Sequence, residues 1–425
     1  MKTEIRPENE MKDSGIEWVG LIPDDWKIAK NNRLFNISKQ LVNENWKNTQ
    51  LLSLTKGGII EKNINDGGGK QPESFGTYQC VEKDDIVLCL FDIDVSAVFS
   101  DRSKYDGMIS PAYRVMKCTD VILPVYAKWW FDAVNTGRYY LIYTKSLRKT
   151  IDTDGFGNIL TVVPPLPEQQ AITDYLDEVC SKIDEIIVEA KASIEEYKEL
   201  KQAVIVEAVT KGLYKNVEVK ETGEKWLHSI PKHWRMEKGK RLLFETNYRS
   251  VNGQEELLTV SQYTGITPRS KKNVTMFQAE SLVDYKICEV GDIAANTMWM
   301  WAGAVGVSRY RGIISPSYNT YRQKRNDYNS DYLDYLLRIA PLVDEYASLS
   351  TGIRASRLRL YPTQFLSINY PVPPLVEQMA IVDWLNEQLP KYDSLITEKE
   401  ALIADLEAYK KSLIYELVTG KRRVV

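Results

Sequence analysis

The strongest constraint on this chain is that its second half repeats its first half at a shift of 205 to 209 residues. Three matches occur in the same order: WVGLIPDDWKIAKNNRLF at 18–35 with WLHSIPKHWRMEKGKRLL at 226–243, GMISPAY at 107–113 with GIISPSY at 312–318, and PPLPEQQAITDYL at 164–176 with PPLVEQMAIVDWL at 373–385. Matches in order at nearly one shift indicate two copies of one fold that differ by small loop insertions.

Each copy begins with about 140 residues whose pattern is typical of a mixed domain. Val, Ile, Tyr and Thr are frequent, turn residues recur, and runs such as 85–91 (DIVLCLF) read as strands. The segments 126–136 and 331–340 have helical spacing instead. The fold class is therefore α+β, with two mixed α/β domains expected at 15–163 and 216–372.

A long helical stripe follows each domain, after a Pro-Pro pair that ends the preceding strand. Apolar residues three and four apart predict a coiled-coil seam. The seam residues are Ile172, Leu176, Ile183, Ile186 and Ile194 in the first stripe, and Leu395, Leu402, Leu406 and Leu413 in the second. We expect the segments 164–215 and 373–425 to form two long helices, at about 166–213 and 375–421, that pair antiparallel.

Pro390 interrupts the second stripe. Because proline breaks the hydrogen-bond pattern of a helix interior, we expect a short helix before it and a long one from about 391 to 419. Gly212 and Gly420 follow the two stripes, where a helix end favours glycine.

Composition excludes several classes of protein. No apolar run approaches the ~20 residues of a membrane helix, and the polar N-terminal stretch does not resemble a secretory signal. Five scattered cysteines without CxxC spacing favour reduced thiols over disulfides or a zinc site. We therefore expect a cytoplasmic protein without membrane contact.

The charge is unevenly distributed along the chain. The formal net charge is −3, but residues 216–372 carry 21 Lys and Arg against 16 Asp and Glu, whereas residues 164–215 carry 6 against 11. A basic domain beside acidic helices is compatible with nucleic-acid binding, which the total charge alone would argue against.

The second copy contains the clearest candidates for contacts with nucleic acid. They are Arg269, Lys271 and Lys272 in one turn-like stretch, Arg309 and Arg311 around Tyr310, and Arg354, Arg357 and Arg359 in a stretch with interspersed hydroxyls. Arginine offers paired donors to guanine edges and phosphates. The alternative is that these stretches are ordinary solvated loops.

The first copy has fewer such residues. Lys145, Arg148 and Lys149 fall where the second copy has 351–359, and they are candidates with the same alternative. The aromatic run Trp299-Met300-Trp301 could stack on bases, but aromatic residues in a strand usually belong to the core, and we predict core positions for them.

The sequence offers no constellation for catalysis. It lacks the phosphate-loop spacing, and its two histidines, His228 and His233, do not assemble with other groups into a metal site or triad. We expect no catalytic residues, no metal and no cofactor in this chain. Two alternatives stay open: a duplicated coiled-coil scaffold that binds only proteins, and a hydrolase with an unrecognised site.

The duplicated motifs carry a resemblance to a known family. PPLxEQ at 164–169 and 373–378, Val-Thr at 209–210 and 418–419, and IPxxW at 22–26 and 230–234 occur in the same order in each copy. This layout resembles the specificity subunit of type I restriction-modification systems, over nearly the whole chain.

The resemblance implies a function in which each domain reads one half of a split sequence in double-stranded DNA. The helices would set the spacing and dock two modification subunits, which carry S-adenosylmethionine and methylate adenine, with restriction subunits as optional partners. Because the two domains differ in sequence, the DNA site is expected to be asymmetric. The resemblance assigns no base-contacting residue by position.

Overall fold

The computed structural model describes residues 2–38, 40–64, 74–94, 99–144, 149–272, 280–352 and 358–425. The chain forms two compact units: unit 1 contains Met1–Ala190 and Ala401–Val425, and unit 2 contains Lys191–Glu400. The predicted segments 15–163 and 216–372 each lie within one unit, whereas both long helices are divided between the two.

The first copy contains thirteen described strands and four described α-helices. The strands are β1 (Thr3–Ile5), β2 (Met11–Asp13), β3 (Leu21–Pro23), β4 (Lys27–Lys30), β5 (Phe35–Ile37), β6 (Leu51–Thr55), β7 (Gly58–Lys62), β8 (Gln79–Val81), β9 (Ile86–Leu88), β10 (Ser100–Arg102), β11 (Gly107–Ile109), β12 (Arg114–Cys118) and β13 (Leu160–Val163). The helices are α1 (Asn31–Leu34), α2 (Pro124–Thr136), α3 (Thr153–Asn158) and α4 (Leu166–Lys211).

The second copy follows nearly the same order of elements, with two helices in place of α2 and a last strand after its long helix. Its strands are β14 (Val219–Glu221), β15 (Ser229–Pro231), β16 (Arg235–Lys238), β17 (Leu243–Thr246), β18 (Leu258–Ser261), β19 (Gly265–Pro268), β20 (Lys286–Cys288), β21 (Ile293–Ala295), β22 (Val305–Val307), β23 (Gly312–Ile314), β24 (Asn319–Gln323), β25 (Asn369–Val372) and β26 (Arg422–Val424). Its helices are α5 (Gly239–Leu242), α6 (Ser330–Leu337), α7 (Ala340–Leu349), α8 (Pro362–Phe365) and α9 (Leu375–Val418). Short 3-10 turns occur at Glu8–Glu10, Asn43–Asn48, Tyr139–Tyr143, Arg269–Lys271 and Met300–Ala302.

The same antiparallel sheet forms the centre of each unit. In unit 1 the strand order is β10-β9-β12-β5, and in unit 2 the corresponding order is β22-β21-β24-β17. The apolar face of each sheet packs against a helix of the same domain, which buries Trp130 and Phe131 in unit 1 and Leu336 and Leu337 in unit 2. The predicted α+β class with two related domains and two long helices is confirmed.

The duplicated motifs IPxxW and PPLxEQ contact each other in both units. In unit 1 the indole nitrogen of Trp26, from IPxxW, donates to the Glu168 carboxylate, from PPLxEQ, at 2.8 Å. In unit 2 Trp234 donates to Glu377 at 2.9 Å. Each pair joins the start of a domain to the start of the long helix that follows it.

The glutamine of PPLxEQ makes three further hydrogen bonds near the start of each long helix. The buried Gln169 amide accepts from the backbone nitrogen of Leu123 at 2.8 Å and donates to the backbone oxygens of Val121 and Pro164. Gln378 makes the corresponding three bonds with Asn329, Asp327 and Pro373. Because each amide satisfies three backbone groups, glutamine suits this position better than an apolar residue.

The two long helices run antiparallel within unit 1. Lys410 on α9 pairs with Asp184 on α4 at 2.6 Å. Beyond the end of α9, Gly420 packs so closely on Trp26 that a Cβ would approach its ring to 3.0 Å, and Trp26 binds Glu168 near the start of α4. Residue numbers therefore rise along α9 in the direction in which they fall along α4, so the two helices are antiparallel.

Unit 2 repeats this arrangement with the helices exchanged. Lys201 on α4 pairs with Asp393 on α9 at 2.5 Å. Gly212, with a φ of +76°, follows α4 and lies against Trp234, which binds Glu377 near the start of α9. The helix that begins after one domain thus completes the core of the other unit, and the predicted antiparallel pairing is confirmed.

The interruption predicted at Pro390 is wrong. Helix α9 is continuous from Leu375 to Val418 and contains Pro390 in its interior. Leu385 and Leu389, in the preceding turn, belong to the hydrophobic core of unit 2. Their burial offsets the lost hydrogen bond, and Pro390 itself is exposed.

The predicted seam is correct over only part of its length. Ile172, Leu176, Ile183, Ile194 and Leu413 are buried, and Leu406 is half-buried. Ile186, Leu395 and Leu402 are instead 44%, 38% and 39% exposed. Ile187 is buried in place of Ile186, because adjacent isoleucines fit a three-and-four pattern almost equally well and the sequence alone does not choose between them.

Candidate nucleic-acid interface

The candidate residues of the second copy that the structure describes form two clusters in unit 2. They lie at opposite ends of the β21–β22 hairpin, whose strands pair from Ile293 with Val307 to Ala295 with Val305. The turn cluster comprises Arg309 and Arg311, which follow β22, and the stretch 269–272, which follows β19. The loop cluster, with Arg359 and the hairpin loop 296–304, lies at the other end.

Acidic neighbours balance the two arginines of the turn cluster. Arg309 donates to Asp331 at 2.6 Å, and Arg311 lies 3.3 Å from Glu289. The hydrogen bond with Asp331 raises the pKa of Arg309 above its usual range. Both arginine side chains are 71% exposed, so they can reach a ligand only by sharing or leaving their present partners.

The stretch 269–272 joins the turn cluster through an aromatic ring. The Lys271 ammonium lies 5.5 Å from the centre of the Tyr310 ring, within the range of a cation–π contact. Partial burial lowers the pKa of the neighbouring Lys272. Arg269, which is half-buried, begins the 3-10 turn that carries these side chains.

The loop cluster is held together by backbone hydrogen bonds. Thr351 and Arg359 exchange two bonds of 3.0 Å, and the backbone nitrogen of Leu360 donates to the carbonyl of Thr297 in the hairpin loop at 3.3 Å. The Arg359 side chain is exposed. Arg354 and Arg357, predicted for the same stretch, lie outside the described residues.

Unit 1 places its candidate stretch in the same way. The backbone nitrogen of Ile151 donates to the carbonyl of Leu90 at 2.9 Å, as Leu360 does to Thr297. Lys149 is exposed, and its carbonyl accepts from Ile93 at 3.3 Å. Lys145 and Arg148 lie outside the described residues. In both units the described end of the basic stretch therefore lies beside the loop that follows a central strand.

The prediction of core positions is wrong for Trp299 and holds only in part for Trp301, whose side chain is half-buried. The Trp299 side chain is 52% exposed, whereas Met300 between the two tryptophans is buried. The two indole rings stack with centres 5.6 Å apart and planes inclined by 24°. The composition of residues 299–301 favours a strand, but these residues lie in a hairpin loop with a 3-10 turn. Side chains in such a loop do not alternate between core and solvent.

The described residues show neither a metal-binding cluster nor a membrane-spanning helix. They contain no cluster of three or more His, Cys, Asp or Glu side chains arranged to hold a metal ion. Among the helices that the structure describes, none combines the length and apolar character needed to cross a membrane.

The chain is similar to proteins of one kind in both sequence and fold. It is 26% identical over 315 residues to the type I restriction enzyme MjaVIII specificity subunit of Methanocaldococcus jannaschii, a match that covers 67% of this chain and 70% of that protein. No family model matches the sequence.

Two solved structures share the fold. One, from work on complex assembly and conformational transition of the type I restriction-modification system, gives a TM-score of 0.68 at 14% identity and covers 94% of this chain and 99% of that one. The HsdS subunit from Thermoanaerobacter tengcongensis gives a TM-score of 0.53 at 14% identity, covering 94% and 98%. In both sequence and fold the chain is therefore similar to the specificity subunits of type I restriction-modification systems, the family that its duplicated motifs resemble.

Proposed function

We propose that this chain is the DNA specificity subunit of a type I restriction-modification enzyme and reads a split, asymmetric site. The observation that carries the proposal is the duplicated framework with different loops. Both units have the same sheet order and the same contact between a basic stretch and a strand-end loop. Two frameworks that are alike but present different side chains suit the reading of two unlike half-sites.

The long helices supply the second part of the proposal, which is docking of two modification subunits. In unit 1 Ile186 and Tyr409 are 44% and 51% exposed, and in unit 2 their repeat equivalents Leu395 and Leu200 are 38% and 50% exposed. Each unit thus presents two equivalent apolar side chains, one from each long helix. Equivalent patches support the binding of one copy of the same partner by each unit.

The proposal assigns the chemical step to the other subunits of the complex and DNA recognition to this chain. The modification subunits supply S-adenosylmethionine and transfer its methyl group to adenine, and restriction subunits join as further partners. This chain contributes recognition and spacing without a catalytic residue, a metal or a cofactor of its own. The complex acts on chromosomal DNA in the cytoplasm.

The test is to co-express the chain with the protein encoded next to it, which we expect to be the modification subunit, and measure DNA binding by the purified complex. We expect a stable complex whose affinity for DNA falls steeply and linearly with salt on a log–log plot, because phosphate contacts release counterions. A complex without salt-dependent DNA binding would support the protein scaffold instead.

A pair of variants separates docking from DNA reading. Ile186→Ser with Leu395→Ser should weaken co-purification of the methyltransferase, whereas Arg359→Ala should leave it unchanged. Undiminished co-purification of the double serine variant would contradict docking at these helix positions.

A further inference from the structure

We infer that Trp299 stacks on a base of the half-site that unit 2 reads. This inference rests on the proposed DNA-reading function and assigns a contact that neither the motifs nor the resemblance provides. Trp299 is half-exposed although Met300 and Ala304, which are close to it in the chain, are both buried. A large aromatic side chain in such a position is more often buried. A ring face exposed to solvent is available to any flat ligand.

The loop holds the ring in place before any ligand arrives. The carbonyl of Trp299 accepts from the backbone nitrogens of Ala302 and Ala304 at 3.0 and 3.1 Å. The indole nitrogen of Trp301 donates to the carbonyl of Met298 at 2.9 Å, which fixes the ring on which Trp299 stacks. A side chain that is already ordered loses little entropy on binding.

Gly303 allows this tight loop to close. Its φ is +83°, in the left-handed region that other residues rarely adopt, and it ends the 3-10 turn. A Cβ at this position would also approach Val343 to 3.1 Å. The loop therefore has one defined shape, which a reading element requires.

The first copy provides an internal comparison. Its equivalent loop makes the same backbone contact to the basic stretch, from Ile151 to Leu90, but carries Asp92 and Asp94 where the second copy has Trp299 and Trp301. The backbone contact is thus retained while the side chains at these two positions differ. Because two unlike half-sites require different reading side chains on a common framework, this loop is where such a difference is expected.

A positive charge next to the loop favours nucleic acid over an apolar protein surface. Arg359 is exposed and adjoins Leu360, whose backbone nitrogen binds this same loop at Thr297. A cation beside an aromatic face can bind a phosphate while the ring stacks on a base. Stacking requires an opened or kinked step, and pyrimidine–purine steps open most easily.

The experiment uses the full chain assembled with its modification subunits and a duplex containing the site that the complex methylates. 2-Aminopurine, whose fluorescence depends on stacking, replaces each base of both half-sites in turn. The variants are Trp299→Ala, Trp299→Phe and, as an exposed aromatic control outside the loop, Tyr214→Ala. Melting curves verify that each variant is folded.

We expect the wild-type complex to change 2-aminopurine fluorescence at one step of one half-site. Trp299→Ala should abolish that change and weaken specific binding about 5- to 100-fold, which corresponds to the stacking of one base. Trp299→Phe should retain most of the affinity, and Tyr214→Ala should behave as wild type.

The outcomes separate this inference from the proposed function. Wild-type affinity and fluorescence in Trp299→Ala, in a complex that still methylates its site, would overturn the stacking contact alone. A loss of equal size at every position, without a change at any one step, would also overturn it. A wild-type complex that binds no DNA would instead reject the proposed function.

Discussion

The Lys410 ammonium lies 2.6 Å from the Asp184 carboxylate in unit 1, and the same pair occurs in unit 2 as Lys201 with Asp393. Each residue of one pair is 209 positions from its counterpart in the other. The lysine always comes from the later part of one long helix and the aspartate from the earlier part of the other. The two pairs therefore fix the same antiparallel register in both units.

Reversing one charge should lower stability by a small amount that a second reversal restores. We expect Lys410→Asp to cost about 1 kcal/mol in the free energy of unfolding, since the Asp184 side chain is 57% exposed and water screens the pair. The double variant Lys410→Asp with Asp184→Lys should recover most of the loss. Chemical denaturation measures both, and additive losses in the double variant would show that the pair does not couple the helices.

The glutamine of PPLxEQ should be far more important for stability than the glutamine beside it. Gln169→Leu leaves three backbone groups without their partner and should cost about 2–4 kcal/mol. Gln170→Leu is the matched control, because Gln170 is exposed and donates to the side chain of Asp174 on the same helix. Similar denaturation midpoints for the two variants would contradict the structural reading of this motif.

The same substitution should lower stability much more at Ile187 than at the adjacent Ile186. Ile187→Asp buries a charge between the helices and should destabilise the protein by about 3 kcal/mol or more. Ile186→Asp places the charge on a side chain that is 44% exposed and should change stability by less than about 1 kcal/mol, while weakening partner binding. Thermal melting compares the stability of the two variants. A greater loss of stability in Ile186→Asp would show that Ile186, and not Ile187, faces the other helix.

These positions show how far the sequence could predict the fold. The repeat and the helical spacing were enough to predict two α+β domains and two antiparallel helices. The choice between Ile186 and Ile187, and the continuity of α9 through Pro390, depend on tertiary packing that a local pattern does not contain.

The candidate interface was less predictable for a physical reason. Arg309 and Arg311 are basic in sequence, but their carboxylate partners Asp331 and Glu289 are 22 residues away in the chain and become neighbours only in the fold. Trp299 was assigned to the core because a strand-like composition does not reveal a hairpin loop.

Two of the described arginine positions should therefore differ in their effect on DNA binding. Arg359→Ala should weaken specific binding by about 1–3 kcal/mol if its guanidinium reads a base. Arg309→Ala should have a smaller effect, since Arg309 already donates to Asp331. Fluorescence anisotropy with the methylated site gives both affinities in the assembled complex. An unchanged affinity in Arg359→Ala would remove that residue from the interface.

The most direct test of the central claim is to map methylated adenines across the genome of the host with and without this chain. We expect a split, asymmetric sequence that is methylated in the parent strain and unmethylated after deletion of the chain, with methylation restored by complementation. If no adenine methylation depends on the chain, the proposed reading of DNA is contradicted.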